Sequence, residues 1–306
     1  MNKQTTIAAA SAAPLLTKTD PDSPALKITD AGGIAIKAGT AFNGITFDND
    51  TDVEYGTTFT PGKDYIVLVQ PGSGAEIHSV DGNPDGPDVL GGFHFAPGGN
   101  AKVRSGGSDV PEINACSIWD RNFRPACSNP CGMALVDAPN IKPFWCDIYL
   151  LGAHHDAVGT SRFGVMIADG DDLPVDPSTS GKRFKRFDYA AAIAVMASHG
   201  KALLSFEEFA AAAYGVTEKT ATKGDPEKTG LDAPRTSKFG IMQATGNMWV
   251  WGHDGDPDEP RASIFGGGWF NGDDAGSRCA GVACCWPVHS SGRIGARGRS
   301  DHLQLA

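Results

Sequence analysis

The sequence predicts an α+β protein, with a small all-β domain ahead of a larger mixed one. Three observations carry that expectation. Apolar residues alternate at period two over short runs from Leu26 onward, separated by turns that hold Pro and Gly. Two helix starts come much later, each with a capping side chain, at Asp188 and Ser205. The chain then ends on a stretch rich in Gly, Trp and Cys that follows neither period.

Residues 1–25 are rich in Ala, Ser and Thr and close on Asp20-Pro-Asp-Ser-Pro24, the composition of a flexible or attachment arm. Leu26-Lys-Ile28, Gly33-Ile-Ala-Ile-Lys37, Thr46-Phe47, Val53-Glu-Tyr55 and Tyr65-Ile-Val-Leu-Val69 read as half-buried strands. Pro61-Gly62 and Pro71-Gly-Ser-Gly74 supply turns between them. Residues 26–92 are therefore expected to form the small β-rich domain. It holds no catalytic constellation, and binding to the rest of an assembly is its expected work. Asp81 to Pro87 reads as a linker, and Gly91-Gly-Phe-His-Phe95 as the opening of a domain over 93–306.

Within that domain Phe144 to Leu151 is a strand candidate rich in aromatic and β-branched residues. Asp188 caps a helix through Ala190 to Ser198, ended by Gly200. Ser205-Phe-Glu-Glu208 is a capping box that opens a second helix, stopped by Gly215. Thr217 to Ser237 is charged and carries Gly and Pro, as a long surface loop does. Trp249 and Trp251 sit two apart, so in a strand both face one side, and both read as core together with Trp119 and Trp145.

The terminal stretch, residues 263–306, mixes two kinds of residue. Gly266, Gly267, Trp269, Gly272, Ala275, Gly276, Ile294, Gly295 and Arg297 suit a scaffold. Phe270-Asn271, Asp273-Asp274 and Ala283-Cys284-Cys285-Trp286-Pro287-Val288-His289 do not suit a core, and an exposed aromatic asks for something to bind. The pattern GG-x-W-x-x-G-x-x-AGSR, followed by IGAR and DHL, resembles the variable region of diversity-generating retroelement target proteins. Gly246-Asn-Met-Trp-Val-Trp251 resembles the GN-x-W-x-W strand of the same superfamily, and Leu203 to Tyr214 resembles one of its helices, with Phe209 where the superfamily has Trp. The resemblance spans roughly residues 93–305. It implies a C-type lectin-like fold, related to formylglycine-generating enzymes, for residues 93–306. It implies that frame residues stay fixed while adenine-directed miscopying changes the rest. On that pattern the variable, ligand-binding positions are Gly268, Phe270, Asn271, Asp273, Asp274, Gly281, Ala283, Cys284, Cys285, Trp286, Val288, His289, Gly292 and Arg293.

By resemblance to phage-borne members, the expected function is recognition of a bacterial surface receptor, protein or glycan, from a tail-fibre tip. Other virion tail proteins are the expected partners. A homo-oligomer is expected, a trimer before a dimer, because repeated weak sites gain avidity. The alternative is a metal-dependent oxidase of the sulfatase-modifying type on the same scaffold. The oxidases need a pair of metal-binding cysteines near the C-terminus, and the related iron enzymes a histidine triad from an added helical domain; here no histidine-rich helical segment is read, and the cysteines fall among the variable positions. No cofactor is expected.

Composition narrows the partners. A net charge of −10 argues against nucleic acid. Tyr189 to Met196, the longest apolar helical candidate, is far too short to span a bilayer, and Ala8 to Leu16 is too weakly hydrophobic for a signal sequence. Synthesis in a bacterial cytoplasm and release as part of a virion fit both, with exposure on a bacterial surface as the alternative. Seven cysteines, an odd number, suit free buried thiols better than a disulfide framework. Asp254, Asp256 and Asp258 start as a structural calcium loop does, but Glu259 and Phe265 stand where Gly and Glu would be needed, so a solvated acidic loop is expected. His154-His155-Asp156 lacks a nucleophile partner. Arg297, and with it Arg278, is expected to be buried against a carboxylate.

Overall fold

Residues 16–80, 84–283 and 286–303 are described by a computed structural model. Cys284, Cys285, the first fifteen residues of the expected arm and part of the expected linker lie outside the described residues.

The N-terminal part is built from short antiparallel strands. Leu26–Ile28, Ile34–Ile36 and Thr51–Val53 form one sheet. Thr40–Phe42 and Ile45–Phe47 form a hairpin whose Asn43-Gly44 turn has φ of 51° and 76°, the positive pair that a tight two-residue hairpin needs. Lys63–Gln70, Gly74–Val80 and Val89–Ala96 form a second sheet that also takes in Trp119–Asp120 and Glu112–Ile113. Leu26, Ile36, Phe42, Tyr65, Val67 and Phe93 fill the core between them. The strand Val89–Ala96 runs across the boundary expected at residue 92, and the sheet continues as far as Asp120. Composition placed the boundary at a Gly/Pro cluster, whereas sheet pairing places the opening of the expected second domain inside the first.

Residues 16–25, assigned to the arm on composition, are anchored to the sheets at both ends, with Thr19 to Asp22 exposed between. Leu16 is buried, Thr17 bridges Ala41, and Lys18 Nζ donates to Asp120 Oδ2 at 2.8 Å. The same carboxylate accepts from Ala25 N at 2.6 Å.

The C-terminal part centres on a twisted sheet in the order Met133–Val136, Phe144–Asp147, Gly298–Asp301, Ala202–Ser205, Trp249–His253, Ala262–Phe265 and Ala280–Gly281. Ile294–Ala296 pairs in parallel with Trp249–Trp251, and the chain then crosses to Ala202–Leu203 and Phe144–Cys146 as Gly298–Asp301. The last strand therefore lies in the middle of the sheet and closes the domain. Both helix starts form as expected. The Asp188 side chain accepts from Ala191 N at the start of Tyr189–Ser198, and Ser205 and Glu208 form a reciprocal capping box on Phe206–Ala212. Each such cap contributes about 1 kcal/mol. Ala191, Ala192, Val195 and Met196 pack the first helix against Leu203 and Trp251.

Four expectations need correction. Trp119, Trp145 and Trp251 are buried, but Trp249 is only half-buried, because its strand begins at the domain surface. The Thr217 to Ser237 segment is not surface throughout: Thr229, Thr236 and Ser237 are buried, and Asp232 accepts from Asn247 Nδ2 at 3.0 Å. Arg297 is 2% exposed, yet its guanidinium donates to backbone carbonyls, those of Asp147, Ile148, Met242 and Gln243, rather than to a carboxylate. The nearby Asp147 carboxylate is taken by Lys201 Nζ and Gly298 N. Arg278 is exposed.

His155 is buried at the start of a short helix, His155–Val158. Its Nδ1 lies 2.9 Å from His199 Nε2 and its Nε2 lies 2.8 Å from Val175 O. One proton arrangement satisfies both contacts: His155 Nε2–H donates to the carbonyl, and Nδ1 accepts from His199 Nε2–H. Both rings are then neutral. Burial, then the charges of His155 and Lys201, pushes His199 from 6.5 down to about 4, and burial also lowers His155. The unfolded chain thus binds more protons between those values. The stability contributed is full above the free-imidazole range and is lost as pH falls toward 4. After screening by solvent at the part-exposed His199 ring, a loss of about 1–2 kcal/mol is expected. The melting temperature of the wild type should fall more between about pH 7 and about pH 4.5 than that of His199→Gln. Equal falls would remove the histidine pair as the cause.

Candidate functional site

The site forms where the variable stretch leaves the sheet. After Ala262–Phe265, Gly266 and Gly267 turn the backbone at φ of 92° and 75°. Trp269 N donates to Asn247 O at 3.0 Å, and its half-buried ring packs on Leu150, Ile167, Met248 and Val250. A 3-10 turn, Gly272–Asp274, follows. Glu218 then fixes the next frame residues, accepting from Ser277 N at 3.0 Å and from Ser277 Oγ while Arg104 holds the carboxylate at 3.0 Å.

The second loop is pinned through its main chain and polar frame. Tyr189 N donates to Pro287 O at 3.1 Å, Gly170 N to Ser291 O at 3.1 Å, Trp249 N to Arg293 O at 3.1 Å, and Phe187 N to Ser290 Oγ at 2.9 Å. The side chains between these bonds are left free. Trp286 is 79% exposed, Val288 58% and Phe270 45%. Backbone order and side-chain exposure are thus separated along the same residues, and the ordering cost of binding is met before a ligand arrives.

A groove of about 520 Å³ opens here, lined by Phe270, Trp286, His289 and Arg293 from the expected positions. The Arg293 guanidinium sits 4.6 Å from the Phe270 ring centroid, and the Trp269 ring stands perpendicular to that ring with centroids 5.3 Å apart. A cation over the ring and a perpendicular aromatic neighbour orient Phe270 without burying it. Asp225 lies within electrostatic reach of Arg293 and of three further acids, Asp169, Asp171 and Glu227. Burial raises the Asp169 carboxyl, and Asp225 is raised by burial and then by its acidic neighbours.

The expected positions do not all reach this groove. Asp273, Asp274, Ala283 and Val288 are exposed and do not line it, and Asn271 and Gly281 are half-buried. Asn271 Oδ1 accepts from Gly268 N at 2.8 Å, which gives that side chain a local structural task. Gly268 is buried, and a Cβ there would stand 2.8 Å from the Phe270 ring, so what position 268 can hold depends on the side chain at 270. Gly292 is half-buried, and a Cβ there would meet only the Asp171 side chain, its Oδ2 at 2.0 Å, which can turn away. Trp249, Ile264 and Ser291 line the groove and were missed. Period two correctly placed Trp249 on the side of Trp251, but the position of its strand end beside the loop was not visible in the sequence.

The acidic loop is used internally. Asp254 Oδ1 accepts from Arg261 N at 2.9 Å, and Asp256 Oδ1 from Asp258 N at 2.9 Å and Glu259 N at 3.0 Å. These bonds to their own loop lower the Asp254 and Asp256 carboxyls. Asp254, Asp256 and Asp258 do not converge, and among the described residues no three acidic, His or Cys side chains are placed to hold a metal. Burial raises the Cys279 thiol, with Asp274 adding to it, which opposes the thiolate that a metal would need.

Residues 24–120 match the family model described as the Mtd second domain. The tail fiber receptor-binding protein of Bordetella phage BPP-1 is 36% identical over 331 aligned residues, which cover 94% of this chain and 84% of that protein. Among solved structures, the Major Tropism Determinant I1 variant superposes with a TM-score of 0.85 at 35% identity, covering 95% of this chain and 87% of that one. The P3c variant gives 0.86 at 35% identity with the same coverage. These likenesses bear out the α+β, C-type lectin-like fold expected from the sequence. The relatives are named for receptor binding and tropism, not for an enzymatic activity.

Proposed function

The chain belongs to the major tropism determinant family of tail-fibre receptor-binding proteins, and from that premise we propose that it recognises a host surface receptor through the groove of Trp249, Phe270, Trp286, His289 and Arg293. One observation carries this reading: the main chain of the loop is tied down at Pro287, Ser291 and Arg293 while Trp286 stands almost wholly in solvent. A fold gains nothing from a tryptophan so placed, whereas a rigid exposed aromatic is what a binding hot spot uses. Exchange of the side chains at 270, 286, 288, 289 and 293 would change shape and charge while leaving the frame bonds intact, as in an antibody paratope. The chain is a virion tail component on this reading, with the groove at the distal tip and other tail proteins at its N-terminal part. Binding of the full chain to intact host cells, measured for single side-chain truncations in the groove, tests the assignment.

Self-association into a trimer fits the same function. One groove of this size offers modest contact, and three copies on one axis raise effective affinity without new contacts. Light scattering at micromolar concentration is expected to give the mass of three chains. A strict monomer would sink this part of the reading.

A further inference from the structure

One cationic patch lies outside the groove. Lys182, Arg183, Lys185 and Arg186 crowd a short segment of a chain whose net charge is −10. The turn that carries them is well held: Asp176 N donates to Lys182 O at 2.7 Å and Phe184 N to Pro174 O at 3.0 Å. Arg183 serves the fold, donating to Leu173 O and meeting His154 Nε2 at 2.9 Å. The other three face solvent. Among the described residues Lys182 and Lys185 pair with no carboxylate, and Arg186 reaches Asp188 only at 3.7 Å with 59% of its side chain exposed. A groove of about 490 Å³ runs beside them, with Asp176 and Asp188 as its acids.

The position of this patch is what gives it a use. Directly after it, Phe187 N donates to Ser290 Oγ and Tyr189 N to Pro287 O. The cationic turn is thus bonded to the loop that presents Trp286 and His289. It lies outside residues 263–306, so its charge is the same whatever side chains the groove carries.

We infer that Lys182, Lys185 and Arg186 form a fixed docking strip for phosphate esters of the host's surface polysaccharide, set beside the changeable groove. The inference rests on the groove being the receptor-facing side. A protein of net charge −10 is repelled by an anionic cell envelope, and local positive charge at the contact face reverses that repulsion where it matters. Screening limits the effect to about 8 Å at physiological salt, so the cations act only if they sit at the face itself, and the two hydrogen bonds to the loop put them there. Phosphate suits the set: Arg186 offers a planar fork for two oxygens, and the lysines add point charges. Polysaccharide is the outermost anion a tail tip meets, with phospholipid beneath it.

The test uses the full chain against immobilised lipopolysaccharide with a phosphorylated core, and against the same material after chemical removal of its phosphates. The wild type is expected to bind the phosphorylated form at low salt and to lose that binding as salt rises. The triple variant Lys182→Gln, Lys185→Gln, Arg186→Gln should bind at least about tenfold more weakly, with unchanged melting temperature. Phe270→Ala and Trp286→Ala should bind this probe as the wild type does while losing attachment to whole cells. Equal binding by the triple variant, or undiminished binding to the dephosphorylated material, would overturn the inference. So would a preference for anionic phospholipid vesicles. A smaller oligomer for the triple variant in light scattering would overturn it too, since the strip would then serve contact with the acidic Asp254 to Glu259 loop of a second copy. If groove variants keep whole-cell attachment, the receptor reading fails while the phosphate result stands or falls by itself.

Discussion

Arg297→Ala is expected to destabilise the protein by about 4 kcal/mol, the largest loss from any single frame residue of the terminal stretch. Arg297 stands at the corner where the chain leaves Trp249–Trp251 and joins Ala202–Leu203. Its guanidinium ties two separate segments to that corner, through the carbonyls of Asp147 and Ile148 on one side and of Met242 and Gln243 on the other. Ile148 O keeps a second donor, Met242 N at 2.9 Å, so it is not orphaned by the change. The Met242 and Gln243 carbonyls lose their arginine donor, and a cavity opens in a site with no access to water. Arg297→Lys should recover part of the loss, because one ammonium can reach some of these oxygens but cannot span both pairs. Urea unfolding followed by tryptophan fluorescence gives the comparison. A loss under about 1 kcal/mol for the alanine variant would mean the corner is held by the sheet alone.

How far the sequence reaches can be judged on such residues. The helix starts were fully legible, because capping is local: Asp188 and Ser205 act on backbone three residues away. The strands of the N-terminal part were legible by alternation, but their pairing was not, so the boundary at 92 cut through Val89–Ala96. The role of Arg297 was half legible. Burial of a guanidinium suggests a partner, and a carboxylate is the usual one, but the carbonyls of residues 147–148 and 242–243 are brought together only by the fold. In the site, Phe270, Trp286, His289 and Arg293 could be named because they fall between frame residues of the resembled pattern, in a run that follows no helix or strand period. Trp249 and Ile264 could not, since the same side chains serve equally well as core, and only the end of a strand decides which. Glu218 and the Asp169 to Asp172 turn, which hold the variable loops from outside, carried no signal at all.

Phe270→Ala and Trp286→Ala are each expected to weaken attachment to host cells by more than about 2 kcal/mol, some thirtyfold, while leaving the fold in place. Trp286 is 79% exposed, so its truncation should change stability by no more than about 0.5 kcal/mol. Phe270 touches Trp269 and Arg293, and the loss of those ring contacts should cost about 1 kcal/mol at most. Trp269→Ala is the control from the frame. Its ring packs on Leu150, Ile167, Met248 and Val250, and its removal should cost about 3 kcal/mol or more. Trp249→Ala should fall between the two classes, lowering both melting temperature and attachment, because its ring is half core and half groove floor. The discriminating measurement is the pair of values for each variant, melting temperature and cell binding. If Phe270→Ala and Trp286→Ala unfold the protein as Trp269→Ala does, these rings are core and the groove is not a paratope. If they spare both fold and attachment, recognition lies on another face, with the outer part of the Thr217 to Ser237 segment next in line. Separation of the two readouts along the two residue classes is the result that a fixed frame with exchangeable side chains requires, since the frame bonds at Ser277, Pro287, Ser290, Ser291 and Arg293 are made by the main chain or by side chains outside the exchangeable set, with Asn271 the exception.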